Sequence, residues 1–106
     1  MNYYQQGDVI LRQATIPAGA KKSERVRGND YILADGEVSG HAHKIKADKH
    51  IDLLEYEGKI YLRVKTAPAP VTHEEHHVII VEPGDYEVYQ VRERDHFNKM
   101  TRKVMD

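Results

Sequence analysis

Cysteine is absent from this 106-residue chain, so neither a disulfide nor a thiolate-bound zinc can hold it together. That lack suits a reducing compartment. Long apolar runs are missing too. The longest, Val78 to Val81, is far too short to cross a bilayer. The opening MNYYQQGDVILRQ has neither a basic start nor an extended apolar stretch of the signal-peptide kind. A cytoplasmic protein without membrane attachment is therefore expected. A surplus of one charge is also lacking, since 16 Lys and Arg nearly cancel 17 Asp and Glu. Such a balance argues against broad adhesion to nucleic acid or anionic lipid. Internal repeats and low-complexity blocks are absent as well.

What is present is an ordinary folded composition, 40% apolar and 31% charged, enough for one domain with a modest core over residues 1–106. The local signals are mostly β. Gly7-Asp8 opens a strand over Val9 to Gln13, and Tyr31 to Ala34 forms another that closes at Asp35-Gly36. Residues 17–30 are polar and rich in Gly, Lys and Arg, which predicts an exposed basic loop.

A hairpin is expected at Glu57-Gly58. Leu53 then falls opposite Leu62, Ile51 opposite Val64 and Asp52 opposite Arg63, so apolar residues match across the turn. A second hairpin is expected at Pro83-Gly84, pairing Val81 with Tyr86 and Ile79 with Val88. Pro68 and Pro70 make residues 66–71, between the two hairpins, read as a stiff connector leading to residues 73–77. At the end of the chain the period changes. Asp95 can cap a short helix over 95–104 with Phe97, Met100 and Val104 on one side. The predicted architecture is a small antiparallel β-barrel or sandwich with a C-terminal helix.

Seven histidines stand out, and five of them lie in two segments, GHAH at 40–43 and HEEHH at 73–77. On an extended backbone His41 and His43 share a face, with Gly40 and Ala42 leaving room between them. Glu37 is placed to act as a carboxylate ligand or to orient one. His73, Glu74 and His77 formally match HExxH, in which a helix presents two zinc ligands and a catalytic glutamate. The flanks, Ala-Pro-Ala-Pro and Val-Ile-Ile-Val, are extended and speak against that helix. Read as a strand, His77 lies in a core-facing row opposite Gln90, Glu75 lies opposite Arg92, and His76 faces outward.

Together the clusters suggest a centre built from His41, His43, His73 and His76 or His77, with Glu37, Glu74 or Glu75 in support. Imidazoles with a carboxylate suit zinc or another borderline divalent metal, and Glu74 or Glu37 could serve a hydrolytic reaction there. Two other readings stay open. Paired histidines can act as acid and base on a phosphate-containing small molecule or RNA without metal, with a lysine or arginine balancing charge. The histidines of a non-catalytic interaction module could equally be structural or pH-responsive. Exposed strand edges make a homodimer the expected assembly.

The HxH within a small β-domain is only distantly similar to the cupins, because the glutamate after the pair and the histidine after Pro83-Gly84 are missing. The chain more closely resembles a group of uncharacterised short bacterial and phage proteins. The motifs that carry the likeness are Gly7-Asp-Val9, Gly36-Glu-Val-Ser-Gly-His-Ala-His43, Tyr61-Leu-Arg-Val64, His73-Glu-Glu-His76, Pro83-Gly-Asp-Tyr86 and Arg92-Glu-Arg-Asp95. The resemblance implies no activity, but it makes His76, rather than His77, a member of the second motif.

Overall fold

Alternating apolar residues and tight turns produce a mostly β molecule of two antiparallel sheets, described in a computed structural model over residues 3–36, 38 and 40–91. The predicted helix over 95–104, Glu37 and Arg92 lie outside the described residues. Among the described residues there is no helix, and hence none long and apolar enough to cross a membrane.

The strands are β1 (Tyr3–Gln6), β2 (Val9–Gln13), β3 (Lys21–Lys22), β4 (Val26–Arg27), β5 (Asp30–Asp35), β6 (Ala42–Lys46), β7 (Ile51–Tyr56), β8 (Lys59–Val64), β9 (Ala69–His73), β10 (His76–Val81) and β11 (Gly84–Gln90). One sheet runs β1-β2-β11-β8-β7-β3 and the other β10-β9-β6-β5-β4. No ladder among the described residues joins the two sheets into a closed barrel. Val9, Leu11, Leu53, Leu62 and Val64 from the first sheet bury against Leu33, Ile45, Val71 and Val81 from the second.

The hairpin at Glu57-Gly58 forms in the expected register, Ile51↔Val64, Asp52↔Arg63 and Leu53↔Leu62. Both turn residues have positive φ (51° and 81°), the geometry that matches strand twist in a two-residue hairpin. The predicted strand at Val9–Gln13 is β2, and β1 precedes it across the Gly7-Asp8 turn, with Gln6↔Val9 in register. The segment 17–30 is largely polar and exposed, but it contributes the short strands β3 and β4, which pair with β7 and β5.

Two expectations are corrected. The proline segment is not a connector, because Ala69–His73 is strand β9, with Pro70 opposite Ile80. Its ladder with β6 involves only Lys44↔Thr72 and Ile45↔Val71, beyond the prolines. The Pro83-Gly84 segment is a corner between sheets rather than a hairpin turn. β10 folds back on β9 in one sheet, while β11 lies between β2 and β8 in the other. Gly84 makes the corner at φ 153°, where an added Cβ would meet Tyr86 Oη at 3.2 Å. The predicted pairings of Val81 with Tyr86, Ile79 with Val88 and His77 with Gln90 therefore do not form. Tyr86 instead faces Leu62 and Gln13, and Gln90 faces Val9.

Candidate functional site

The HEEH motif is itself a hairpin. Glu74-Glu75 forms the two-residue turn, and His73 stands directly opposite His76 in the β9–β10 register. β6 runs beside β9 and brings in GHAH, so imidazoles remote in sequence meet at one end of the second sheet. His73 is at the centre of the group. Its ring centroid is 4.3 Å from His43, 4.6 Å from His76 and 6.0 Å from His41. His43 and His76 stack nearly parallel at 6.0 Å. His77 makes none of these ring contacts. Its side chain is exposed, while its carbonyl accepts a hydrogen bond from Gln6.

His43 is 0% exposed, and each of its nitrogens faces an oxygen of a partner that the histidine motifs do not contain. Nδ1 lies 2.8 Å from Gln6 Oε1 and Nε2 lies 3.2 Å from Asp8 Oδ1. The Gln6 amide has a determined orientation because its Nε2 donates to the Val71 and His77 carbonyls, at 2.9 and 2.8 Å. Gln6 Oε1 must then accept, so His43 Nδ1 carries a proton and donates it. In the neutral ring, Nε2 presents a lone pair to the Asp8 carboxylate. The other oxygen of Asp8 accepts from Gln90 Nε2 at 3.0 Å, and Gln90 also donates to the Asp35 carbonyl at 3.0 Å. Burial pushes the His43 pKa down, helped by neighbouring His73 and opposed by Asp8.

The remaining rings are held by close backbone approach. His76 Nε2 lies over Gly7, where a Cβ would come within 2.5 Å of it, and Gly7 itself takes φ +58°. His73 Nε2 lies over Gly36, where a Cβ would come within 2.8 Å. His73 Nδ1 accepts the Glu75 N–H at 3.0 Å, so the neutral ring carries its proton on Nε2. His41 Nδ1 is buried without a hydrogen-bond partner among the described residues, and Glu75 Oε2 is 3.4 Å away. Glu74 faces elsewhere. Its Oε1 accepts the Ala42 N–H at 3.0 Å and its Oε2 lies 3.3 Å from Lys44 Nζ. Those bonds, above all the backbone one, hold its pKa down at about 2.

The structure thus groups His41, His43, His73 and His76, leaves His77 outside, and ties Glu74 to β6. Among the described residues, no three His, Asp or Glu side chains form a ready-made metal ligand set. Gln6, Asp8 and Gln90 were not singled out from sequence for these contacts. Asp8 lies within the Gly7-Asp-Val9 motif, but no strand was expected over Tyr3–Gln6, so nothing local marked Gln6 as buried. No curated protein and no solved structure matches the chain. A family model does match, over residues 5–91, and that span includes both histidine motifs, Gln6, Asp8 and Gln90. The chain belongs to the family described as a domain of unknown function, DUF8820.

Proposed function

We propose that this domain binds a divalent cation, zinc by donor preference, between His43 Nε2 and Asp8 Oδ1, with His76 as the third ligand. The observation that carries the reading is the facing pair itself. A lone pair fixed by Gln6 and a carboxylate oxygen lie 3.2 Å apart, and two such acceptors at that distance need a positive charge between them. A proton can fill that role, and so can a metal, so binding releases a proton and weakens in acid. Gln6 then has the part of an outer partner that selects the ligating tautomer, and Gln90 does the same for Asp8. His76 contributes because its Nε2 lies over Gly7, next to Asp8. A mixed imidazole and carboxylate set favours zinc, iron, nickel or manganese.

If the centre is hydrolytic, Glu75 is the better candidate for the base, because both oxygens of Glu74 are engaged with β6. A metal-free acid–base centre is the second reading, favoured by the Nε2–H that His73 is left with once its Nδ1 accepts from Glu75. Within either reading, the two sheets are taken to face each other as a sandwich.

The test uses untagged protein freed of metal by chelator and then given Zn²⁺, Mn²⁺, Ni²⁺ or Fe²⁺ in separate melts. At about 100-fold over Kd, binding should stabilise by about 2.7 kcal/mol, a rise of several degrees in Tm. Asp8→Asn and His76→Ala should each abolish the rise. An unchanged Tm with all four metals would rule the reading out in favour of the metal-free centre.

A further inference from the structure

Beyond the histidine group, a cleft of about 760 Å³ opens between β5 of one sheet and β8 and β11 of the other. Its volume falls within the ordinary range for small-molecule sites. Its floor is apolar, formed by Leu33, Ile60 and Val88, with Tyr89 at the side. The Tyr89 ring is backed by the Arg12 guanidinium at 5.8 Å. Gly36 and Gln90 line the cleft as well, and the same two residues touch His73 and Asp8, so the cleft and the histidine group share a wall.

The charges around the cleft are of both signs but unequally committed. Asp35 pairs with Arg27 at 3.5 Å, Glu55 accepts a 2.6 Å hydrogen bond from Ser23 Oγ, and Glu87 stands cross-strand from Arg12. The cations are freer. Arg25 is anchored by its Nε, which donates to the Ile32 carbonyl at 3.0 Å, and its terminal amino groups have no acceptor among the described residues. Lys59 has no ion pair among the described residues. The lining itself holds three carboxylates and two cations. With Arg27 beside Asp35 and Arg12 across from Glu87, Arg25 and Lys59 are set against only the charge of Glu55, which a hydroxyl hydrogen bond does not cancel, so the neighbourhood is positive by one above an apolar floor.

We propose that this cleft binds a small organic molecule with an anionic head, carboxylate or phosphate, and an apolar body. The head sits at Arg25 and Lys59, and the body lies on Ile60 and Val88. A guanidinium already held by one nitrogen has little freedom left to lose, and its remaining donors match an oxyanion. The proposal goes beyond metal binding and does not depend on it.

The experiment titrates the isotope-labelled full chain, with chelator present throughout, with phenylphosphonate, benzoate and benzylamine, followed by amide chemical shifts. Metal plays no part under these conditions, so the outcome is separable from the metal test. Saturable shifts at Leu33, Ile60 and Val88 with phenylphosphonate or benzoate, and none with benzylamine, support the proposal, and the stronger of the two anions identifies the head group. Lys59→Gln and Arg25→Gln should each weaken that binding about ten-fold. Lys59 is exposed at the start of β8, so its variant keeps the test decisive if the Arg25 change disturbs the fold. The proposal is overturned if neither anion shifts these amides, if benzylamine shifts them equally, or if Lys59→Gln binds the anions unchanged.

Discussion

The two tight hairpins of this domain, β7–β8 and β9–β10, are built for different ends. In β7–β8 six consecutive pairs keep register, from Ile51↔Val64 to Tyr56↔Lys59, and the inward row is Ile51, Leu53, Leu62 and Val64. In β9–β10 the register slips between His76 and Ile79, and Val78 and Ile80 remain about half exposed. Its turn residues also differ. Glu57 and Gly58 only reverse the chain, whereas Glu74 reaches β6 and Glu75 lies beside His41. Regular pairing supplies apolar burial and so stability. The irregular hairpin gives up part of that burial to hold four imidazoles and two carboxylates together. Scaffold and candidate site are thus divided between the two hairpins, and the site is completed by Gln6 and Gln90 from the first sheet and Asp8 from its β1–β2 turn.

Leu53→Ala tests the scaffold side most severely. Its side chain is fully buried, and truncation should cost about 2–5 kcal/mol in urea unfolding. His76→Ala, on an exposed strand end, should cost less than about 1 kcal/mol. Equal losses for the two would erase the division drawn above.

Gly7→Ala comes next. An alanine at φ +58° is strained by about 1–2 kcal/mol, and its methyl would collide with His76 Nε2. Both a lower Tm and a displaced His76 ring resonance are expected, while the amide shifts of β7 and β8 stay in place. Gln6→Leu should destabilise by about 1–3 kcal/mol, because His43 Nδ1 and the Val71 and His77 carbonyls lose their partner inside the protein. A neutral effect there would mean that the amide does not set the His43 tautomer.

The smallest effect is expected from Glu74→Gln, and it is one of pH. Glu74 is lowered from 4.5 to about 2 by accepting the Ala42 N–H, with Lys44 adding a smaller part. A depressed carboxylate contributes stability that is full above its unfolded pKa and is lost as pH falls through the folded value. Unfolding measured from pH 5 down to pH 2 should show a shallower loss of stability in the variant than in the parent. Identical acid limbs would separate Glu74 from the joint between the two histidine motifs.

Much of the scaffold was legible because its signals are local. The β7–β8 register follows from alternation over a few residues on either side of Glu57-Gly58, and β2 was delimited at both ends. The Pro83-Gly84 corner was misread because a turn motif states that the chain bends, not which sheet receives the next strand. Pro68 and Pro70 concealed β9, since the ladder to β6 begins only beyond them at Val71. That error in turn hid the HEEH hairpin and left the choice between His76 and His77 open, and of the two only His76 has ring contacts with His43 and His73.

By itself, the sequence determined a cysteine-free β-domain with matched apolar rows and two histidine motifs, because strand period and turn chemistry act between near neighbours. Only the tertiary structure decided which side chains complete the histidine group. Gln6 and Asp8 are 37 and 35 residues from His43, and Gln90 is 82 residues from Asp8. A polar residue takes its role from whatever partner burial forces it to find, and that partner is chosen by how the two sheets come together.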